Sequence, residues 1–267
     1  MIHSNSEGDI YIEEMPLLLV HLREEEKGAD ARLSEVLSYA LDGYAYETAT
    51  EISAFEDYVN RWRRLEKTQN RKNPVQGRIL FAVPLGTSGI NLELYCLIRF
   101  LREHPDFLNG FVGGLLVDSE NDLYSKSAAK DLVFAANCAG CAFVGRPLVE
   151  GTRTLSNYTI VSNNLGTDLM GAYRESAAGL VKEVLGTDCV RKKCPKVLVL
   201  HASSHKTSNT YAIWNRVKEQ LPEMEIREIG LRNGTLSDCA GCPYKMCLHF
   251  GEQGSCFYGG VMVEDVY

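Results

Sequence analysis

"VLVLHASSHKTSNTYAIW", residues 197–214, runs from an apolar strand through small polar residues into a helix. The apolar run reads as a strand and the break into Ser, His, Lys, Thr and Asn as the loop that opens a helix. Chains build anion sites at such a turn. The first N–H groups of the helix have no partner of their own, and its dipole places partial positive charge there.

Ser203, Ser204, Ser208 and Thr210 supply hydroxyl donors, Asn209 an amide, and His205 and Lys206 basic groups. Ser208 is also placed to cap the helix, whose buried face is expected at Ile213, Trp214, Val217 and Leu221. The loop holds no glycine, so it matches neither the dinucleotide fingerprint nor the P-loop lysine motif. Hydroxyls in place of a glycine cradle point to a single terminal phosphate such as that of FMN. The competing reading is an ordinary Ser/Thr/Asn helix start.

Outward from this stretch, strands and helices alternate along the whole chain, the pattern of an α/β fold with a doubly wound parallel sheet. Strands are expected at Leu17–Leu22, Ala45–Thr50, Arg78–Pro84, Phe111–Asp118, Ala142–Pro147, Lys196–His201 and Glu225–Leu231. Leu94, Leu97, Ile98 and Leu101 share one helical face, as do Leu132, Ala135 and Ala136. A helix near Leu169–Leu185 is expected to end at Gly186 as its C′ residue. Residues 1–187 then form one complete unit, 188–195 a polar linker, and 196–267 the opening part of a second. Two strands do not make a stable sheet by themselves. The second unit is therefore expected to continue past Tyr267 or to be completed by another part of the chain, as tandem copies or as a circular permutation.

A faint internal echo supports two copies. LLLVHL at 17–22 parallels LVLHAS at 198–203, each followed by a helix. The loops differ, since Glu24, Glu25 and Glu26 after the first strand repel a phosphate. The second copy is the one suited to an anion.

The chain's 267 residues carry 45% hydrophobic and 24% charged residues, with a net charge of −7. That balance excludes a general nucleic-acid binder, which needs clustered cations. The short basic runs Arg61, Arg63 and Arg64; Arg71 and Lys72; and Arg191, Lys192 and Lys193 read as solvated faces. The polar, acidic start is unlike a signal peptide, and no apolar run approaches membrane-spanning length. Nine cysteines, an odd count in a chain too large to need disulfide staples, fit a reducing compartment, so the cytoplasm is expected.

SDCAGCPYKMCLHFGEQGSC places Cys239, Cys242, Cys247 and Cys256 at spacings of x2, x4 and x8. Four thiolates in a loop can hold zinc tetrahedrally or a [4Fe–4S] cluster, or remain buried or redox-active thiols without metal. Cys138 and Cys141, at a helix end before a strand, read as packing, and Cys189 and Cys194 flank the linker cations. His201 and His205 stand beside or within the proposed phosphate site, and His249 lies in the cysteine loop with Tyr244 and Phe250. GRPLVEGT at 145–152 follows a strand end, with Arg146 and Glu150 either facing a ligand or paired with one another.

HASSHKTSNT resembles the phosphate loop of the NAD(P)H-dependent FMN reductases and iron–sulfur flavoproteins, a flavodoxin-like family whose loop commonly reads G-S-x-R-x-x-S/G-N-T. The match is Ser203, Lys206 at or beside the basic position, Ser208, Asn209 and Thr210, with Ala202 for glycine and His205 where arginine is usual. The family also places a C-x-x-C cluster after its second strand, as here. ILFAVPLGTSGINLELYCLIRFL and FVGGLLVDS resemble its third strand with the following helix and its fourth strand, although PLGTSG lacks the aromatic residue usual over a flavin ring. The resemblance implies a first flavodoxin-like unit with degenerate cofactor loops and a second that binds FMN. It further implies hydride transfer from NAD(P)H, a small-molecule or protein electron acceptor, a [4Fe–4S] cluster at the four cysteines, and a homodimer. The alternative is a non-catalytic flavodoxin-like binding or scaffold module with structural or zinc-binding cysteines.

Overall fold

Five apolar runs within the first 151 residues become five parallel strands: β1 (Leu17–His21), β2 (Tyr46–Ala49), β3 (Gly77–Leu85), β4 (Phe111–Ser119) and β5 (Ala142–Gly151). The structure, a computed structural model, describes residues 15–21, 23, 27–68, 76–188, 196–202, 208–230, 241–253 and 256–257. It divides into two compact units, Met1–Cys189 and Val190–Tyr267.

In the first unit the strand order is β2-β1-β3-β4-β5, the doubly wound, flavodoxin-like order. The connecting helices are α1 (Lys27–Ala40), α2 (Ile52–Thr68), α3 (Leu92–Glu103), α4 (Ser125–Cys138), the short α5 (Thr159–Leu165) and α6 (Leu169–Gly186). Alternation along the central strands feeds two cores. Phe111, Leu115 and Val117 join α2, α3 and α4 on one face, while Val112 and Leu116 join α1 and α6 on the other. All nine residues of β4 are buried, as expected of a central strand covered on both faces. Gly114 lets α6 approach, because a Cβ there would lie 2.7 Å from a Val184 methyl. The five strands of this sheet all come from residues 17–151.

Three local expectations are corrected. The β5 strand runs on to Gly151 rather than ending at Pro147, because it carries a bulge. Gly113 pairs with Phe143 and Leu115 with Leu148, leaving residues 144–147 opposite Gly114. A bulge bearing Arg146 and Pro147 suits an edge strand, since it deters pairing with a further strand. Gly186 is the last helical residue of α6, with extended Thr187 as C-cap, and takes no left-handed conformation.

The second unit pairs β6 (Lys196–His201) in parallel with β7 (Glu225–Gly230), with α7 (Asn209–Glu219) between them and α8 (Tyr244–Gly251) after them. The third correction concerns α7. Tyr211 and Trp214 are its half-buried residues, whereas Ile213 and Val217, expected inside, are exposed. Among the described residues no helix is long and apolar enough to cross a membrane.

Candidate functional site

In open α/β sheets, ligands bind outside the carboxyl ends of the strands. At the carboxyl end of β6, His201 closes the strand, and α7 opens at Asn209. Ser208 is its N-cap, with extended backbone, and its Oγ accepts from Tyr211 N–H at 3.3 Å. A hydroxyl that accepts in the cap keeps its own proton to donate outward. Thus Ser208, Asn209 and Thr210 stand together where the strand gives way to the helix. Ser203, Ser204, His205 and Lys206 lie outside the described residues.

Two contacts tie α7 to the sheet. Tyr211 Oη donates to Glu228 on β7 at 3.2 Å, and Lys218, two helical turns on, pairs with the same carboxylate. Hydrogen bonding from Lys218 is the first cause holding the Glu228 carboxyl below its usual pKa. His201 lies 4.9 Å from the Tyr211 ring, and its Nδ1 is buried without a hydrogen-bond partner among the described residues. A buried polar atom left unpaired at a strand's carboxyl end is a group that a ligand or water can satisfy.

Of the cysteine set, Cys242 is half-buried just before α8, Cys247 is exposed on it and Cys256 is half-buried beyond it. Cys239 lies outside the described residues. No group of three metal-ligating side chains occurs among those described. Tyr244 is a surface aromatic, and His249 packs edge-on to Phe250. Cys141 is buried at the start of β5 and Cys138 exposed at the end of α4; Cys189 and Cys194 fall outside the described residues.

The first unit builds a different arrangement at its carboxyl ends. Asp118, fully buried near the end of β4, receives Arg32 of α1 side-on, with Nε at 3.1 and 3.0 Å and Nη2 at 2.7 Å. The guanidinium also donates to Ser119 O at 3.0 Å and Arg153 O at 3.1 Å. Burial pushes the Asp118 carboxyl above its usual pKa, and the Arg32 hydrogen bonds and charge oppose that rise. Tyr173 of α6 lies beside it, its phenol raised well above the usual value first by burial and then by the Asp118 charge. Ser125 donates to Glu150, so Glu150 serves the start of α4, and its cation neighbour is Lys126, 3.8 Å away, rather than Arg146, the partner in one of the two readings of that segment. His21 Nε2 lies 2.8 Å from Asp30 Oδ1.

The basic run on α2 is spent locally: Arg61 pairs with Glu47, and Arg63 donates to Asp106 O at 2.6 Å and covers the Phe107 ring. The Arg32–Asp118 pair escaped sequence reading because 86 residues separate its members. The available signal was a carboxylate at the end of an otherwise apolar, double-glycine strand, which burial obliges to find a partner. Compared with known proteins, the chain matches no family model and no curated protein sequence.

Proposed function

We propose that the chain is an FMN-dependent NAD(P)H oxidoreductase whose second unit holds the FMN phosphate at the β6–α7 turn. The observation that carries this reading is Ser208 as N-cap, with Asn209 and Thr210 in the first turn of a helix that directly follows a parallel strand. The described residues fit a phosphate. Ser208 and Thr210 offer hydroxyl protons, Asn209 an amide, the helix its N-terminal N–H groups and dipole, and His201 a buried nitrogen without a partner among the described residues. Ser203, Ser204, His205 and Lys206 complete the donor set in the sequence.

The bound flavin supplies hydride acceptance from NAD(P)H and the passage of electrons to a small-molecule or protein acceptor. The chain's own residues anchor and orient. The Ser208 cap and the Tyr211 bond to Glu228 fix the start of α7 against β7, while Lys218 ties its last turn to the same carboxylate, and so together they fix where the donors point. Among the described residues the cysteines are not gathered into a metal site, and the reading needs no cluster.

A second reading, a binding or scaffold module, is favoured by one observation. The polar groups at the carboxyl ends of the first unit are bonded to one another, with Arg32 taken up by Asp118, Ser119 and Arg153. The visible absorption of anaerobically purified protein, with and without added FMN, separates the two. A two-band flavin spectrum that is lost in the Ser208→Ala, Asn209→Ala variant is expected. A colourless protein that takes up no FMN sinks the oxidoreductase reading and leaves the scaffold.

A further inference from the structure

We infer that the first unit carries its own anion: the Asp118 carboxylate fills, from within the chain, an oxyanion cradle formed by Arg32, Tyr173 and the side-chain-free backbone at Gly151. This holds whether or not the second unit takes flavin. Three observations meet at this point.

The first is the economy of Arg32. Two of its contacts go to backbone carbonyls of different segments, Ser119 O and Arg153 O, so the guanidinium is oriented even without Asp118. What Asp118 takes is the remaining side-on edge, the two-pronged geometry by which guanidinium groups bind free carboxylates and phosphates.

The second is Gly151 on β5. A Cβ there would lie 2.7 Å from Asp118 Oδ2 and 2.8 Å from the Tyr173 ring, so the carboxylate sits in a space that any other residue would fill. The third is Tyr173 itself, fully buried, with its phenol set against the same carboxylate, whose charge raises its pKa. A guanidinium already held in place, a phenol facing the same point and a missing side chain together describe a receptor. In this chain the occupant is covalently attached.

Placement gives the device its consequence. Arg32 belongs to the helix after β1, whereas Asp118 is the penultimate residue of β4, and β3 lies between those strands. The bond therefore crosses the carboxyl end of the sheet where the winding reverses, the place at which such sheets bind ligands. The loops there are fastened without a ligand, and no external oxyanion enters.

The test uses the full chain. Asp118→Gly removes the internal anion and leaves a cavity open to formate. Thermal midpoints of the native protein, D118G and R32M/D118G are compared in sodium formate and in sodium chloride of equal ionic strength. Formate is expected to raise the D118G midpoint above its chloride value and to leave the native protein and the double variant at theirs, since a ligand stabilises only a state that binds it. D118G responding no more than the native protein, or no more than R32M/D118G, overturns the inference. Should D118G not fold, the native protein decides alone through its Arg32 Nε–H resonance, assigned by its loss in R32K. That resonance is expected to be unmoved by inorganic phosphate, and a phosphate-dependent shift would show the cradle open and refute the closure.

Discussion

Asp118 brings charge and complete burial into conflict, and Arg32 is what makes the position tolerable. Burial pushes the carboxyl above its ordinary pKa of 3.8, and the guanidinium, by hydrogen bond and by charge, recovers part of that rise. A folded-state pKa above the unfolded one means the folded chain holds the proton more tightly. The stabilising contribution of this group is then present below the unfolded value and is lost as pH rises through the folded value. Arg32→Met removes its two lowering influences and leaves only that of Tyr173, so the rise grows and the window widens upward. The variant is expected to lose about 3–5 kcal/mol at pH 7, the usual cost of stripping one partner from a buried pair, and distinctly less at pH 4.5, where protonation relieves the bare carboxylate. Urea melts at the two pH values check this, and an equal loss at both would show that Asp118 is not the group left exposed to the change. At this scale the sequence is legible only one residue at a time. The burial of Asp118 follows from its strand, but nothing local names Arg32, because the pairing depends on where α1 lies over the finished sheet.

The strands were readable from apolar runs because both faces of this parallel sheet are covered. β3 and β4 show it best, as continuous runs rather than alternations. The helix faces of α3 and α4 followed from periodicity for the same reason: Leu94, Leu97, Ile98, Leu101, Leu132, Ala135 and Ala136 are all buried. Periodicity misplaced α7 because it assumes a broad sheet beneath the helix. Over the two strands β6 and β7, the face that packs is set by Glu228, which draws in Tyr211 and Lys218, and the apolar stripe at Ile213 and Val217 stays in solvent. Start signals were only partly legible. Ser208 was, being a small hydroxyl residue before an apolar period. Asn91 was not, although it does more: its Oδ1 accepts from Leu94 N–H at 2.9 Å while its Nδ2 donates to Pro84 O at 2.9 Å, joining the end of β3 to the start of α3. Asn91→Ala is expected to lower stability by about 2–3 kcal/mol, a lost cap together with a buried donor–acceptor pair left open. Asn91→Ser, which keeps a cap oxygen but cannot span to Pro84, should recover only part of that. Denaturant midpoints rank the three proteins, and a serine variant equal to the native one would remove the bond to Pro84 from the account.

Two units of unequal core size should not melt together, and the chain carries a reporter in each. Of its two tryptophans, Trp62 is buried in the first unit, 4.6 Å from the Phe111 ring, in a space kept clear by Gly110, where a Cβ would lie 2.7 Å from Trp62 Cη2. Trp214 is half-buried on α7, and neither α7 nor α8 holds a buried residue. The first unit encloses both faces of a five-stranded sheet, whereas the described residues of the second form two paired strands, short of what usually stands alone. Stability and the steepness of unfolding both grow with the surface a unit buries. In urea, therefore, Trp214 fluorescence read in a Trp62→Phe protein is expected to change at lower concentration and over a broader range than Trp62 fluorescence read in Trp214→Phe. Added FMN, if the second unit anchors its phosphate, should move the Trp214 transition upward and leave the Trp62 transition in place, because a ligand stabilises the unit that binds it. Coincident transitions would mean that the chain unfolds as one cooperative body, and the faint repeat at 17–22 and 198–203 would then mark no boundary in stability. An FMN-induced shift in the Trp62 transition alone would move the anion site to the first unit and overturn both its internal closure and the assignment of Ser208, Asn209 and Thr210.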